Sequence, residues 1–306
     1  VRLNFAASDP LLHQAFLLFL LLIGFAALHR PLGPSGLLAA NALPQRATAR
    51  REWLQGAALG WALILIAALP MMLVGALHPQ FWLAPRAWGL TVISIAALFL
   101  GSLAVEVAFR GFLFARLTAL LGPVTATVVL ALLYAFTVSG QPNATMLALV
   151  VAFISAFVYS VAYLRTHALW LGWGLRFAFA GITAMVLGLP VQGDAGYSTL
   201  VSTDTSGANW LSGGPFGPTA ALFTGLVFLA ALPVLYRITR DYAWAYTHPE
   251  IVPAGMPVVI APPAAHTAME AAAAPAPLVQ ILGSTPTAPS TMPIIEEHLR
   301  RPADAE

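Results

Sequence analysis

The sequence predicts an all-α fold: a polytopic transmembrane helix bundle of seven spans, an eighth left open, followed by a disordered C-terminal tail. Three observations lead there. Of 306 residues, 59% are hydrophobic and only 8% charged, whereas soluble domains carry about 25% charged residues. Mean hydropathy is +0.82. The apolar residues also fall into separate stretches near the length of about 20 residues that a membrane-spanning helix needs.

Taken in order, these stretches are 11–28, 53–77, 87–109, 123–138, 145–164, 168–189 and 218–236. The first could pass for a signal peptide, but its apolar core is long for one and no small-x-small cleavage site follows directly, so a retained span is expected. Residues 110–121 (RGFLFARLTALL) continue the apolar run with two Arg and end at LGP. They are expected to form an amphipathic or half-inserted helix at the cytoplasmic surface, the alternative being the eighth span. Residues 1–245 thus form a membrane domain. Residues 246–306, rich in Pro and Ala and without a sustained apolar stripe, form a disordered cytoplasmic tail.

The charges orient the bundle. All fourteen basic residues are Arg. Arg30, Arg46, Arg50, Arg51, Arg110, Arg116, Arg165, Arg237 and Arg240 fall in alternate loops, and the opposite loops hold only Arg2 and Arg86 with Asp9, Asp194 and Asp204. The positive-inside rule then places the N-terminus outside and the C-terminus in the cytoplasm, in a multi-pass protein of the plasma (bacterial inner) membrane. The eight Trp lie mostly near span ends, as in an aromatic belt. A formal charge of +2 with dispersed Arg gives no footprint for nucleic acid, so the expected partner is the lipid bilayer. With no Cys, disulfides and thiolate chemistry are excluded.

Within or beside the spans the ionisable residues are few: His13, Glu106, Arg110, Arg116 and Arg176. Glu106 and Arg110 sit four residues apart on one helix face and can pair. Arg176 has no acid in its own helix, so backbone carbonyls, water or Glu106 must satisfy it. A structural ion pair locking two helices is one reading. A catalytic Glu is the other, although base catalysis needs a second group to share the proton and no span offers a His near enough.

Three segments carry a resemblance. AVEVAFRGFLFARL (104–117) resembles motif one, E-E-x-x-x-R-G-F-L, of the CAAX prenyl protease and bacteriocin-processing (CPBP, or Abi) family. LLYAFTVSGQPNAT (132–145) resembles its second motif, F-x-x-x-H, and LRTHALWLGWGLRFAFAG (164–181) its third, H-F-x-x-N. NWLSGGPFGP (209–218) resembles the loop beyond. In that family the first Glu and the motif-two His are proposed to activate water, with or without a metal ion, while the third-motif His and Asn hold the oxyanion. Carried over position by position, the first Glu is Val105, and the second is retained as Glu106 with Arg110. Tyr134 stands for the Phe of motif two and Val138 for its His. Arg176 stands for the third-motif His and Ala180 for its Asn. Neither Val accepts a proton or binds a metal, and Ala180 offers no donor. The resemblance therefore implies a protease homologue that has lost its reactive groups and needs no cofactor or metal. Its cytoplasm-facing cavity would receive a hydrophobic or prenylated peptide or another membrane protein. An active endopeptidase, with Glu106 as base and Arg176 as oxyanion holder, is the alternative. An anion transporter is the second.

Four further strings are set aside. EEHLRR (296–301) fits E-E-x-x-x-R but sits in the polar tail without G-F-L. His167 is expected to face headgroups, and GGPFGP to form a tight external turn. NAT at Asn143 is a glycosylation string without a secretory context.

Overall fold

The computed structural model describes residues 9–29 and 37–240. The tail from 246, the EEHLRR string, Arg2 and Arg30 lie outside the described residues. Ten helices appear among these: α1 (Asp9–His29), α2 (Leu37–Ala40), α3 (Ala49–Leu73), α4 (Pro85–Arg110), α5 (Phe112–Leu121), α6 (Pro123–Ser139), α7 (Met146–Thr166), α8 (Trp170–Met185), α9 (Asn209–Ser212) and α10 (Leu222–Ile238).

The chain is a mostly helical membrane protein. Four stretches are long and apolar enough to cross a bilayer: Pro10–Leu28, Ala49–Leu73, Pro85–Leu121 and Met146–Thr166. Helices α6, α8 and α10 have 17, 16 and 17 residues, about 24–26 Å at the helical rise, less than the roughly 30 Å of hydrocarbon. The longest stretch breaks at Gly111, whose ψ of −121° departs from helical geometry. Helix α5, on the far side of this break, has ten residues, about 15 Å, too short for an eighth crossing.

Strands were not expected. Leu77–Phe81 (β1) pairs antiparallel with Val201–Thr205 (β2), Leu77 facing Thr205 and Phe81 facing Val201. This ribbon ends two of the expected spans early. Gly75, at φ +64°, ends α3 before Leu77 can join it, and α8 stops at Met185 because 186–208 form the return loop that carries β2. A five-residue partner more than a hundred positions away leaves no local period to detect.

Contacts gather the arginines at one end. Arg46 donates to the Thr166 carbonyl at 3.1 Å and pairs with the buried Glu52, which also accepts from Thr48 at 2.7 Å. Arg165 donates to Thr239 at 3.0 Å and lies over the Tyr236 ring. Phe112 of α5 stacks on Phe25 at the end of α1, and Phe114 meets Tyr163 at the end of α7. At the other end lie the ribbon, the α6–α7 turn and the loop 186–221. His167 is exposed at the arginine end, capping α7 with φ +48°. GGPFGP is not an external turn. It folds inward as short 3-10 turns, with Phe216 only 1% exposed and its carbonyl accepting from Gly193 N–H at 2.9 Å.

Helix α8 is seated by glycines. Gly56 and Gly60 of α3 abut the backbone carbonyls of Leu171 and Leu175, and Gly174 of α8 abuts that of Trp53. The G-x-x-x-G spacing in α3 lets two backbones meet where packing replaces the hydrophobic drive as the associating force. Gly56→Ala and Gly60→Ala are each expected to lower the thermal unfolding temperature in detergent, by an overpacking cost of about 1–3 kcal/mol. Gly181→Ala, on α8 with open space around it, should be neutral or mildly stabilising.

Candidate functional site

Helices α4, α6, α7 and α8 bring the polar residues of the apolar bundle together. Near the end of α4, Glu106 is fully buried, and its Oε1 accepts two charged hydrogen bonds. Arg110 Nη1 donates at 3.1 Å from one turn further on, and Arg176 Nε donates at 2.7 Å from α8. Arg110 Nη2 also donates to the Ala156 carbonyl of α7 at 2.9 Å, and Arg176 Nη1 donates to the Tyr134 hydroxyl of α6 at 2.9 Å. That hydroxyl accepts a second bond, from Gln192 Nε2 at 2.7 Å. The Arg176 guanidinium lies between two rings, 4.3 Å from the Tyr159 centroid and 5.1 Å from that of Tyr134, a placement that favours a cation. So the intramembrane Arg left without an acid in its own helix finds one in α4.

The pairing joins two of the residues that the resemblance aligned, Arg176 and Tyr134, and the Tyr134 hydroxyl is the acceptor for the Arg176 cation.

Beside this network is a cavity of about 350 Å³ whose walls include Val105, Tyr134, Val138, Tyr159, Arg176 and Ala180. The positions matched to the three motifs therefore converge on one space. Glu106 and Arg110 are not on its lining; they lie behind Arg176. Glu106 Oε2 has no hydrogen-bond partner and points at Gly172, where an added Cβ would lie 2.9 Å away. Glu106 is thus shut off from the cavity, with Arg176 on the lining in front of it.

The mouth lies at the end opposite the arginine loops. Its rim includes Gln14 of α1, Gln141 after α6, and Gln192, Asp194 and Tyr197 of the return loop. Burial and the Asp194 charge push the Tyr197 phenol up, and Gln14 is its hydrogen-bond partner, so it stays a hydroxyl at neutral pH. An N-terminus-outside orientation and a cytoplasm-facing cavity cannot both hold. If the arginines face the cytoplasm, the mouth does not.

Of the other candidates, Arg116 lies over Phe112 at 5.2 Å in α5 and His13 is exposed on α1; neither lines the cavity. Tyr159 and Gln192 carried no signal as single letters in a run and a loop. The buried pair of Glu52 and Arg46 was masked among loop arginines. The donor set does not suit the metal ion that the resemblance allows. Val105, Val138 and Ala180 bring no lone pair, Glu106 is held by two cations, and no three His, Asp or Glu cluster as ligands among the described residues.

Residues 85–182 match the family model described as type II CAAX prenyl endopeptidase Rce1-like. That span runs from α4 almost to the end of α8 and holds every matched motif position. No curated protein and no solved structure matched the chain.

Removing Glu106 leaves two buried guanidiniums unmatched, whereas removing Arg176 leaves a neutral pair. Glu106→Gln should therefore lose about 3–5 kcal/mol of stability, the cost of breaking a buried pair, and Arg176→Gln clearly less. Tyr134→Phe should cost about 1–3 kcal/mol by orphaning two donors. Thermal unfolding of the purified variants ranks them.

Proposed function

We propose that this member of the CAAX prenyl protease and bacteriocin-processing family is a catalytically degenerate homologue. It holds a hydrophobic or lipidated peptide, or a segment of a membrane-protein partner, in its intramembrane cavity without cutting it. The observation that carries this reading is the double engagement of Glu106 Oε1 by Arg110 and Arg176, with Arg176 between the carboxylate and the cavity.

Hydrolysis requires a base that reaches a water, a carrier for its proton and donors placed where the oxyanion forms. Glu106 Oε1 is taken by Arg110 and Arg176, and its free oxygen faces Gly172 instead of the cavity. The positions that would share the proton are valines. Arg176 is the one donor left at the third motif, and two of its three nitrogens, Nε and Nη1, are taken by Glu106 and Tyr134. What remains is a built cavity whose walls mix apolar side chains with Ser102, Ser155, Thr183 and Thr219, in the volume range of small-ligand sites, about 300–1,000 Å³.

In this reading α1, α3, α4, α6, α7, α8 and α10 make seven crossings of a bacterial inner membrane, the N-terminus outside and the C-terminus cytoplasmic. The short helices cross where the bundle thins the bilayer around them.

Incubated in nanodiscs with fluorogenic prenylated and hydrophobic peptides, the purified protein is expected to bind them with no turnover above that of Glu106→Ala. Cleavage that disappears in Glu106→Ala would overturn the proposal and favour an active, rearranged endopeptidase.

A further inference from the structure

The cavity has a direction and a charge, and neither is explained by holding an apolar chain alone. All the polar residues of its rim, Gln14, Gln141, Gln192, Asp194 and Tyr197, belong to the end away from Arg46, Arg50, Arg51, Arg165 and Arg237. At the inner end, one carboxylate, Glu106, stands against two guanidiniums, Arg110 and Arg176, which leaves one positive charge unmatched. Arg176 lines the cavity, and its Nη2 has no partner. The other charged group of the lining, Asp194, is exposed at the rim, where it accepts Gly196 N–H at 2.7 Å. Its hydration screens it from the interior. The interior has no such screening, so an unmatched cation there favours an anionic occupant.

We infer that the cavity is loaded from the face opposite the arginine loops, the non-cytoplasmic side, and takes an apolar chain bearing one carboxylate. The carboxylate lies beside Arg176, completing the charge balance, and the chain runs outward along Val105, Val138, Phe179, Phe216 and Phe228. This rests on the non-hydrolytic reading above for its cavity and adds the side of entry and the ligand chemistry. A free fatty acid and the C-terminus of a hydrophobic peptide share that chemistry.

The absence of cysteine makes single-cysteine labelling clean. Gln141→Cys puts a thiol at the exposed rim and Arg50→Cys puts one at the exposed arginine end. In sealed right-side-out vesicles, a membrane-impermeant maleimide should label Gln141→Cys directly and Arg50→Cys only after lysis. The reverse pattern overturns the side of entry. Dodecanoate below its micellar concentration, or a hydrophobic tripeptide with a free C-terminus, should slow labelling of Gln141→Cys. Dodecanol and the tripeptide amide should not. Protection by dodecanoate alone identifies the fatty acid as the source, and protection by the tripeptide alone the peptide C-terminus. Equal protection by the uncharged analogues, or none by either acid, overturns the ligand class. Adding Arg176→Gln should raise the half-protecting concentration about tenfold, as for a lost charge-assisted contact. None of these readouts depends on peptide cleavage, so they can fail while the non-hydrolytic reading stands, and the reverse.

Discussion

A single atom, Glu106 Oε1, takes hydrogen bonds from Arg110 and Arg176, and through it four helices are held together. Arg110 carries the connection to the Ala156 carbonyl on α7, and Arg176 carries it to the Tyr134 hydroxyl on α6. In a bundle surrounded by hydrocarbon, each of these charges would be costly alone. Together they are tolerable only if the helices stay where they are. The network is thus a constraint on the packing as much as a product of it.

The glycines make the constraint achievable. Arg176 reaches Glu106 because α8 lies against α3 at backbone contact, Gly56 and Gly60 facing one way and Gly174 the other. Gly172 then leaves room for the second carboxylate oxygen. A bulkier residue at any of these points would move α8 outward and part the ion pair. The arginine that screens the carboxylate from the cavity also supplies the charge that steadies it.

The same arrangement leaves a cavity that is polar at its rim, mainly apolar with scattered hydroxyls along its walls, and positive at its base. The return loop with the β1–β2 ribbon builds the rim, and Phe216 from the folded-in GGPFGP segment completes the wall. Residues matched to a family of endopeptidases surround this space.

Membrane character, helical class and the positions of most long helices were legible in the chain before any fold was known. Continuous apolar runs bounded by Gly, Pro and Arg carry that information locally, residue by residue. Motif spacing also pointed to Val105, Glu106, Arg110, Val138, Arg176 and Ala180. What those residues do emerges from the folded bundle alone. Which atom of Glu106 meets which arginine, that Tyr134 answers Arg176, that Gln192 joins from a distant loop and that the cavity opens away from the arginines are mostly relations between segments about 40 to 70 positions apart. So is the ribbon a distant relation, its strands finding each other across more than a hundred residues. Such relations are set by how helices pack and loops return, and a linear pattern holds no record of a distance across the bundle.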